Sequence, residues 1–376
     1  MSMTTMSRAD NSKLANWWWT IDRVTLMAVL MLMSIGLILA FAASPTATGS
    51  GSIAGDFSYA AKQLAFAAIA IFILVGASLL DFASARVVAA GVFAVALVGA
   101  CFALISGVDV NGAHRWLEFG GLKFEPSEFL KPAFAVLAAA FLADKLKRGF
   151  PGELVTLAFL APALVILLLQ PDVGQTFLLS ILCVTMLFLA GLPYYWMAAL
   201  GAGGAGLATL AYFIHPHVRE RIHQFFDSTQ GYQTGLALKA FEAGGVTGVG
   251  PGAGTIKYRL PDAHTDFIFA VAGEEFGIAL CILIAVLFGV VTIRLLLRAA
   301  RSRDCFAQLA ASGLALVIGF QAFINMGVSL SILPAKGMTL PLISYGGSSL
   351  FAVALTLGFA LGLTRQRPVL ADEVAR

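Results

Sequence analysis

The sequence predicts an all-α polytopic membrane protein of about ten transmembrane helices, and three observations predict it. Of its 376 residues, 59% are apolar and 12% charged, with a mean hydropathy of +0.88. A soluble domain carries about twice that charged fraction. Apolar runs long enough to cross a ~30 Å hydrocarbon layer recur along nearly the whole chain. Lys and Arg gather at alternate ends of those runs, as the positive-inside rule requires.

The runs fall at 21–43, 61–80, 87–107, 128–143, 154–170, 174–190, 193–214, 266–298, 306–330 and 342–363. The first ends in small residues, Ala40, Ala42 and Ala43, as a secretory signal does. It is too long for one and further spans follow, so it reads as a retained anchor. The fourth to sixth runs lie near the lower limit for a span. Arg8, Lys13, Arg23, Arg86, Lys145, Lys147, Arg148 and Arg365 fall on one side, joined by Arg294, Arg298, Arg301 and Arg303 after the eighth run. That side is the cytoplasm by the Lys/Arg rule, with tails 1–20 and 366–376 there and a single membrane domain, 21–365, between them. The cysteines Cys101, Cys183, Cys281 and Cys305 are dispersed, without metal-ligand or disulfide spacing, and read as packing residues.

The outer face is richer in cations than topology needs. It holds Lys62, Arg115, Lys123, Lys131, Arg219, Arg221, Lys239, Lys257, Arg259 and Lys336. Long loops translocate regardless of charge, which accounts equally well for Arg219 and Arg221. Arg115, Lys131 and Lys336 stand beside Gly/Pro-rich helix edges, placed to meet an anion such as a phosphate.

Two connections are long, 108–127 and the extracytoplasmic loop 215–265 between spans seven and eight, and long loops are commonly functional. Within the second, Val218 to Phe226 alternates charged and apolar residues like an interfacial helix. Gly231 to Gly245 suits a second short helix. Gly248, Gly250, Gly252 and Gly254 then form a flexible strip leading to Lys257, Tyr258 and Arg259.

Asp266 opens the eighth span within Ala263-His264-Thr265-Asp266-Phe267. An ionisable group at such depth is a functional-site candidate. The competing reading is an ordinary N-cap acid, because a helix start favours negative charge. Glu274 and Glu275 lie ~12–14 Å deeper on that helix, where a structural or proton-related role outweighs direct catalysis. Glu128 and Lys131 are spaced to pair locally, or Lys131 reaches across to Asp266. Trp116 suits an interfacial belt, or with Arg115 a phosphate-and-sugar contact. Asp172 in Gln170-Pro171-Asp172-x-Gly174 reads as a turn and cap acid. The stretch Pro334 to Ser349 breaks the helical pattern, either lining a cavity or packing closely through small residues. Hydrolase-type nucleophile arrangements are absent.

These segments together resemble the SEDS family (shape, elongation, division and sporulation). The resemblance rests on His-Thr-Asp-Phe-Ile-Phe and Gly-Glu-Glu-Phe-Gly within 264–277, Asn-Gly-Ala-x-Arg-Trp at 111–116 and Pro-Ser-Glu-x-x-Lys at 126–131. It also rests on Gln-Pro-Asp-x-Gly at 170–174 and Lys-Gly-Met-Thr-Leu-Pro-Leu-Ile-Ser-Tyr-Gly-Gly-Ser-Ser at 336–349. The match runs in order over about 20–365. The Thr-Leu-Pro-Leu-Ile-Ser-Tyr form and Trp17-Trp18-Trp19-Thr20-x-Asp22 are more similar to the division branch than to the elongation branch. One departure is Leu236-Ala237 after Tyr232-Gln233, where many members carry Gln-Ser.

The resemblance implies a SEDS fold and a peptidoglycan glycosyltransferase that polymerises lipid II in the bacterial inner membrane at the division septum. It also implies a class B penicillin-binding transpeptidase as partner, alongside other division proteins; nothing points to nucleic acid. The family's essential acid corresponds to Asp266. Glu128, Lys131 and Trp116 correspond to positions around its outward cavity. The chemistry needs a base on the acceptor hydroxyl while the anomeric carbon loses undecaprenyl pyrophosphate, with inversion. Arg115, Lys131, Arg259 and Lys336 suit the leaving pyrophosphate, and His264, Thr265, Ser344 and Tyr345 suit substrate contact. The resemblance points to no definite cofactor. A divalent cation, Mg or Mn, is compatible with the pyrophosphate, but no site for one is legible. The rival readings are a lipid II flippase, an elongation-type polymerase and a scaffold that recruits division proteins.

Overall fold

Long apolar stretches without internal backbone partners in lipid must be helical, and the chain obeys that rule almost throughout. The computed structural model describes residues 12–48, 58–110, 113–214, 219, 232–334 and 337–365. A short helix α1 (Lys13–Thr20) precedes α2 (Arg23–Thr48), α3 (Ser58–Ser78) and α4 (Phe82–Ser106). After strands β1 (Val108–Val110), β2 (Ala113–Phe119) and β3 (Leu122–Phe124) come α5 (Ser127–Arg148), α6 (Gly152–Leu169), α7 (Val173–Leu189) and α8 (Tyr194–Ile214). The chain continues through α9 (Tyr232–Gly244), a 3₁₀ turn (Ile256–Tyr258), α10 (Ile268–Ala300), α11 (Cys305–Ser329) and α12 (Gly347–Leu363).

Six of these helices are long and apolar enough to cross a membrane, namely α2, α3, α4, α6, α10 and α11, and α7 and α12 are shorter apolar helices. Helix α5 lies at the fourth predicted run and α8 at the seventh. The centre of the bundle is α5, α11 and α12. Helix α11 is 72% buried over its apolar window against 28% for α4, which places α11 inside and α4 at the rim. Helix α12 packs along α3, and α11 packs between α5 and α10.

The purely helical expectation misses a three-stranded antiparallel sheet, order β1-β2-β3, within the predicted loop 108–127. Gly120 and Gly121 at φ 57° and 79° make the tight turn that pairs Glu118 with Lys123. Two consecutive positive φ values are what a two-residue hairpin connection of this twist demands. The expected short helix at 231–245 is α9, and the departure Leu236-Ala237 is buried in it. The expected amphipathic segment 218–226 lies outside the described residues except for Arg219, which is helical and exposed.

One end of the bundle is tied by charge. Asp22, 2% exposed, accepts from Thr25 Oγ1 at 2.7 Å, Arg294 Nε at 2.7 Å and Arg298 Nη2 at 3.2 Å. The start of α2 is thereby joined to the far end of α10. Nearby, Trp17 Nε1 donates to Ser78 Oγ at 2.7 Å, and the Arg23 guanidinium lies 5.1 and 4.7 Å from the ring centres of Trp18 and Trp19.

Helix α10 is two helices in series. At Gly277 the backbone turns to φ 75°, ψ −177°, and the ladder breaks. The freed groups are taken up by the preceding loop. Val249 N–H donates to the Glu274 carbonyl and Gly250 N–H to that of Glu275, both at 3.0 Å, while Ile278 N–H donates to Gly245 O at 3.0 Å. The glutamate side chains hold the next stretch of the same loop. Glu274 accepts backbone N–H bonds from Thr255, Ile256 and Lys257 at 2.6, 2.7 and 2.9 Å. Glu275 pairs with Lys257, both wholly buried, and Lys257 Nζ also donates to Ala42 O at 2.7 Å. A carboxylate with three N–H donors and a second with an ammonium are the arrangements that make buried charge tolerable.

A Cβ on Gly277 would sit 2.3 Å from Val246 O, at a φ that L residues avoid. Gly277→Ala is therefore expected to destabilise the protein by at least ~2 kcal/mol, read as a lowered thermal midpoint in detergent. Gly289→Ala on the same helix meets nothing within 4 Å and is the near-neutral control. Lys257→Met, which strands Glu275, is expected to cost ~3–5 kcal/mol.

Candidate functional site

At the end of α10 opposite the Asp22 cluster, the chain arrives through a run of turns over 261–267. Asp266 is half-buried there, but it does not cap the helix. The capping position is Phe267, without a side-chain cap, and α10 begins at Ile268. The competing cap reading is not realised because Asp262, at φ 54°, folds the turn back: its carbonyl accepts from the N–H groups of Thr265, Asp266 and Phe267 at 3.1, 3.0 and 3.2 Å. That leaves the Asp266 carboxylate directed sideways. A Cβ built on Gly337 would lie 3.3 Å from its Oδ2, so the carboxylate faces the irregular strip 337–346.

That strip is sewn to the turn. Ser344 Oγ donates to Thr265 O at 2.5 Å and accepts from Leu340 N–H at 2.7 Å. Tyr345 N–H donates to His264 O at 3.0 Å. The rings of Tyr59, His264 and Tyr345 cluster with centroids 4.9 to 5.9 Å apart. From the neighbouring helix, Asn325 Nδ2 donates to both Asp266 O at 2.8 Å and Met338 O at 2.6 Å. His264, Thr265, Asp266, Ser344 and Tyr345 are thus brought together. Lys336 lies outside the described residues. Arg259 is exposed at the end of the 3₁₀ turn.

A second polar group sits in the core. Lys131 Nζ contacts Glu128 Oε2 at 2.6 Å and Gln321 Oε1 at 3.0 Å, and Gln175 Nε2 donates to Glu128 Oε1 at 2.6 Å. Lys131 and Glu128 are each 2% exposed. Of the two readings of this pair, the local one is realised. Arg115 is engaged with α7 and its approach: Nε donates to Gln170 O at 3.1 Å, Nη2 to Pro171 O at 2.5 Å, and Nη1 lies 3.8 Å from Asp172. Trp116 is half-buried with the Arg115 guanidinium 6.0 Å from its ring centre. Asp172 caps α7 by accepting from Gln175 N–H at 3.2 Å. Glu125, which sequence reasoning passed over, stands next to this group. Its burial, and the negative charge of Glu128 and Asp172, push its carboxyl up to about 8.

Gln321 and Asn325 were also missed. Single amides inside an apolar 25-residue helix give no periodic signal, and only their i, i+4 spacing hints at a shared face. Among the described residues, no group of three or more His, Cys, Asp or Glu is arranged to hold a metal ion.

A family model described as cell cycle protein, covering FtsW, RodA and SpoVE, matches residues 22–368. A probable peptidoglycan glycosyltransferase FtsW of Caulobacter vibrioides is 41% identical over 367 residues, covering 96% of this chain and 94% of its own. One of Nitrosomonas europaea is 32% identical, covering 91% and 92%. Among solved structures, a chain from a peptidoglycan synthase complex that coordinates polymerization and crosslinking superposes with a TM-score of 0.76 at 27% identity, over 92% of this chain and 98% of that one. The rod shape determining protein RodA of Thermus thermophilus superposes with 0.69 at 26% identity, over 93% and 99%.

Burial lowers the His264 pKa below its ordinary 6.5, with Asp262 partly opposing, so folding disfavours the charged imidazole. The unfolded chain binds that proton first, so the contribution is full above about 6.5 and is lost as pH falls below it. The thermal midpoint of the wild type is expected to drop more steeply from pH 7 to 5.5 than that of His264→Phe. Equal slopes would contradict a buried neutral imidazole.

Proposed function

The chain belongs to the FtsW, RodA and SpoVE family of cell cycle proteins, and from that membership we propose that it is a peptidoglycan glycosyltransferase that polymerises lipid II during septal wall synthesis. Asp266 is the proposed general base on the acceptor hydroxyl, and undecaprenyl pyrophosphate is the leaving group. The observation that carries this reading is the way Asp266 is held. Its own carbonyl is fixed by Asn325, and the two residues before it are fixed by Ser344 and Tyr345. A base must be placed within hydrogen-bond reach of the proton it removes, and an acid secured on three sides at the end of a helix bundle meets that need.

Substrate contacts are assigned to the ring cluster of His264 and Tyr345, with Thr265 and Ser344 shaping the turn. Exposed Arg259 is the described cation assigned to the pyrophosphate, and Lys336 is assigned with it from its place in the sequence. Arg115 and Trp116 are assigned to further substrate contact, with the guanidinium already ordering the turn before α7. A divalent cation at the pyrophosphate remains compatible with this reading; among the described residues no acids are arranged as its ligand set. The partner is proposed to be a class B penicillin-binding transpeptidase, supported by the likeness to a complex that coordinates polymerization with crosslinking. Placement in the bacterial inner membrane, with cytoplasmic termini and septal enrichment, follows from the same reading. A relative named FtsW is 41% identical and the RodA of Thermus thermophilus 26% identical, and that supports division over elongation.

A lipid II flippase would need ionisable groups available along a path across the bilayer. The deeper acids here are engaged, Glu274 by three N–H groups and Glu275 by Lys257. That favours chemistry at one end over passage through the bundle.

The test is polymerisation of labelled lipid II by the purified chain with its transpeptidase partner, crosslinking blocked. Wild type is expected to make long glycan strands, and Asp266→Asn to lower the rate at least ~100-fold, within the usual range for a general base. Lipid translocation by both forms without polymer from either would establish the flippase instead.

A further inference from the structure

The Glu128–Lys131 pair is too deeply buried to touch a substrate in this conformation, yet it is bonded towards the site. Lys131 can only donate, so the Gln321 amide must turn its oxygen to it at 3.0 Å. The Gln321 nitrogen is then directed to Thr339, whose carbonyl it meets at 3.1 Å and whose hydroxyl it meets at 3.3 Å. Thr339 Oγ1 lies 2.6 Å from Ser349 Oγ at the start of α12. One turn further along the same face of α11, Asn325 holds Met338 O and Asp266 O. Gln321 is 0% and Asn325 2% exposed, so water does not compete for these bonds.

We propose that Gln321 and Asn325 are positioning residues, and that Glu128–Lys131 acts on the reaction through them rather than by contacting the pyrophosphate. The buried pair anchors Gln321. Gln321 sets Thr339, Asn325 sets Met338 together with Asp266, and the strip facing the carboxylate is thereby held in register with it. The polarity of the chain is fixed at its root, because an ammonium cannot accept. Replacing Gln321 by a residue that cannot both accept and donate releases the strip, although no substrate atom is lost. This inference rests on the glycosyltransferase reading, with Asp266 as base.

Steady-state polymerisation by the full complex tests it, with lipid II binding measured separately in an Asp266→Asn background. Gln321→Met and Lys131→Met are each expected to lower kcat at least ~10-fold with KM changed by less than ~2-fold. The double variant should be about as slow as the slower single, because groups that act as a unit are non-additive. Gln321→Glu, matched in volume and able when ionised to accept from Lys131 but not to donate to Thr339, is expected to be slow as well, and it carries the test if the Met variant does not fold. Lipid II affinity should be unchanged in all of them. A raised KM or weakened binding in Lys131→Met would mean direct substrate contact and overturn the inference. So would a wild-type kcat in Gln321→Glu, or effects that multiply in the double variant. Absence of polymer from the wild type would instead refute the underlying functional reading.

Discussion

Every backbone N–H and C=O at membrane depth needs a partner, and this architecture turns on how that demand is met at Gly277. A break in a transmembrane helix exposes carbonyls and amides that lipid cannot satisfy. Here segment 245–250 enters the gap and exchanges bonds with residues 274–278. The exchange has further consequences. It brings the loop close enough for Glu274 to bind the 3₁₀ turn and for Glu275 to draw Lys257 into the core. Lys257 reaches α2 through the Ala42 carbonyl. A loop that reads in sequence as a long flexible connection is therefore part of the folded body, and the first turns of α10, between Asp266 and Gly277, form a short separate helix with their own supports.

The site is built more from main chain than from side chains. Ser344, Asn325 and Gln321 each direct a side-chain donor at a carbonyl, and those carbonyls belong to the two irregular segments, 261–267 and 337–346. Irregular backbone lacks a ladder to keep it in place, so side chains do that work, Asn325 and Gln321 from a regular helix and Ser344 from the opposing strip. The close fit of the Asp266 carboxylate against Gly337 follows, since a Cβ there would press on Oδ2. Rigid helices holding two loops face to face is a general way to combine precise placement with an opening for substrate.

Much of this was legible beforehand, because the signals were local. Apolar runs mark helices by length alone, and the run His264 to Phe267 marks the site by placing an acid where lipid discourages one. What was hidden is non-local. Lys257 reads as a loop cation, and nothing in its neighbourhood foretells a partner 18 residues away inside a helix. Asp266 reads as a cap because the pattern turns apolar after it; the fold-back depends on Asp262 taking a left-handed conformation, which a single Asp does not announce. The sheet at 113–124 was obscured by the expectation of a loop, although Gly120-Gly121 between alternating residues carried its turn. The Glu128–Lys131 spacing left two pairings open, and Gln321 and Gln175 decide between them by surrounding the local one.

The division of labour between buried and exposed charge bears on mechanism. An ammonium paired with a carboxylate in the core adds little net positive potential, because the two fields largely cancel beyond a few ångströms. Lys131 and Lys257 are both so paired, and Arg115 leans on Asp172. For the proposed reaction, the cations suited to a departing pyrophosphate are then those outside the core, with exposed Arg259 the clearest among the described residues. The base, by contrast, needs fixed geometry more than field strength, and the buried network supplies geometry. Charge at the rim and hydrogen bonds in the core thus answer the two separate needs of the reaction.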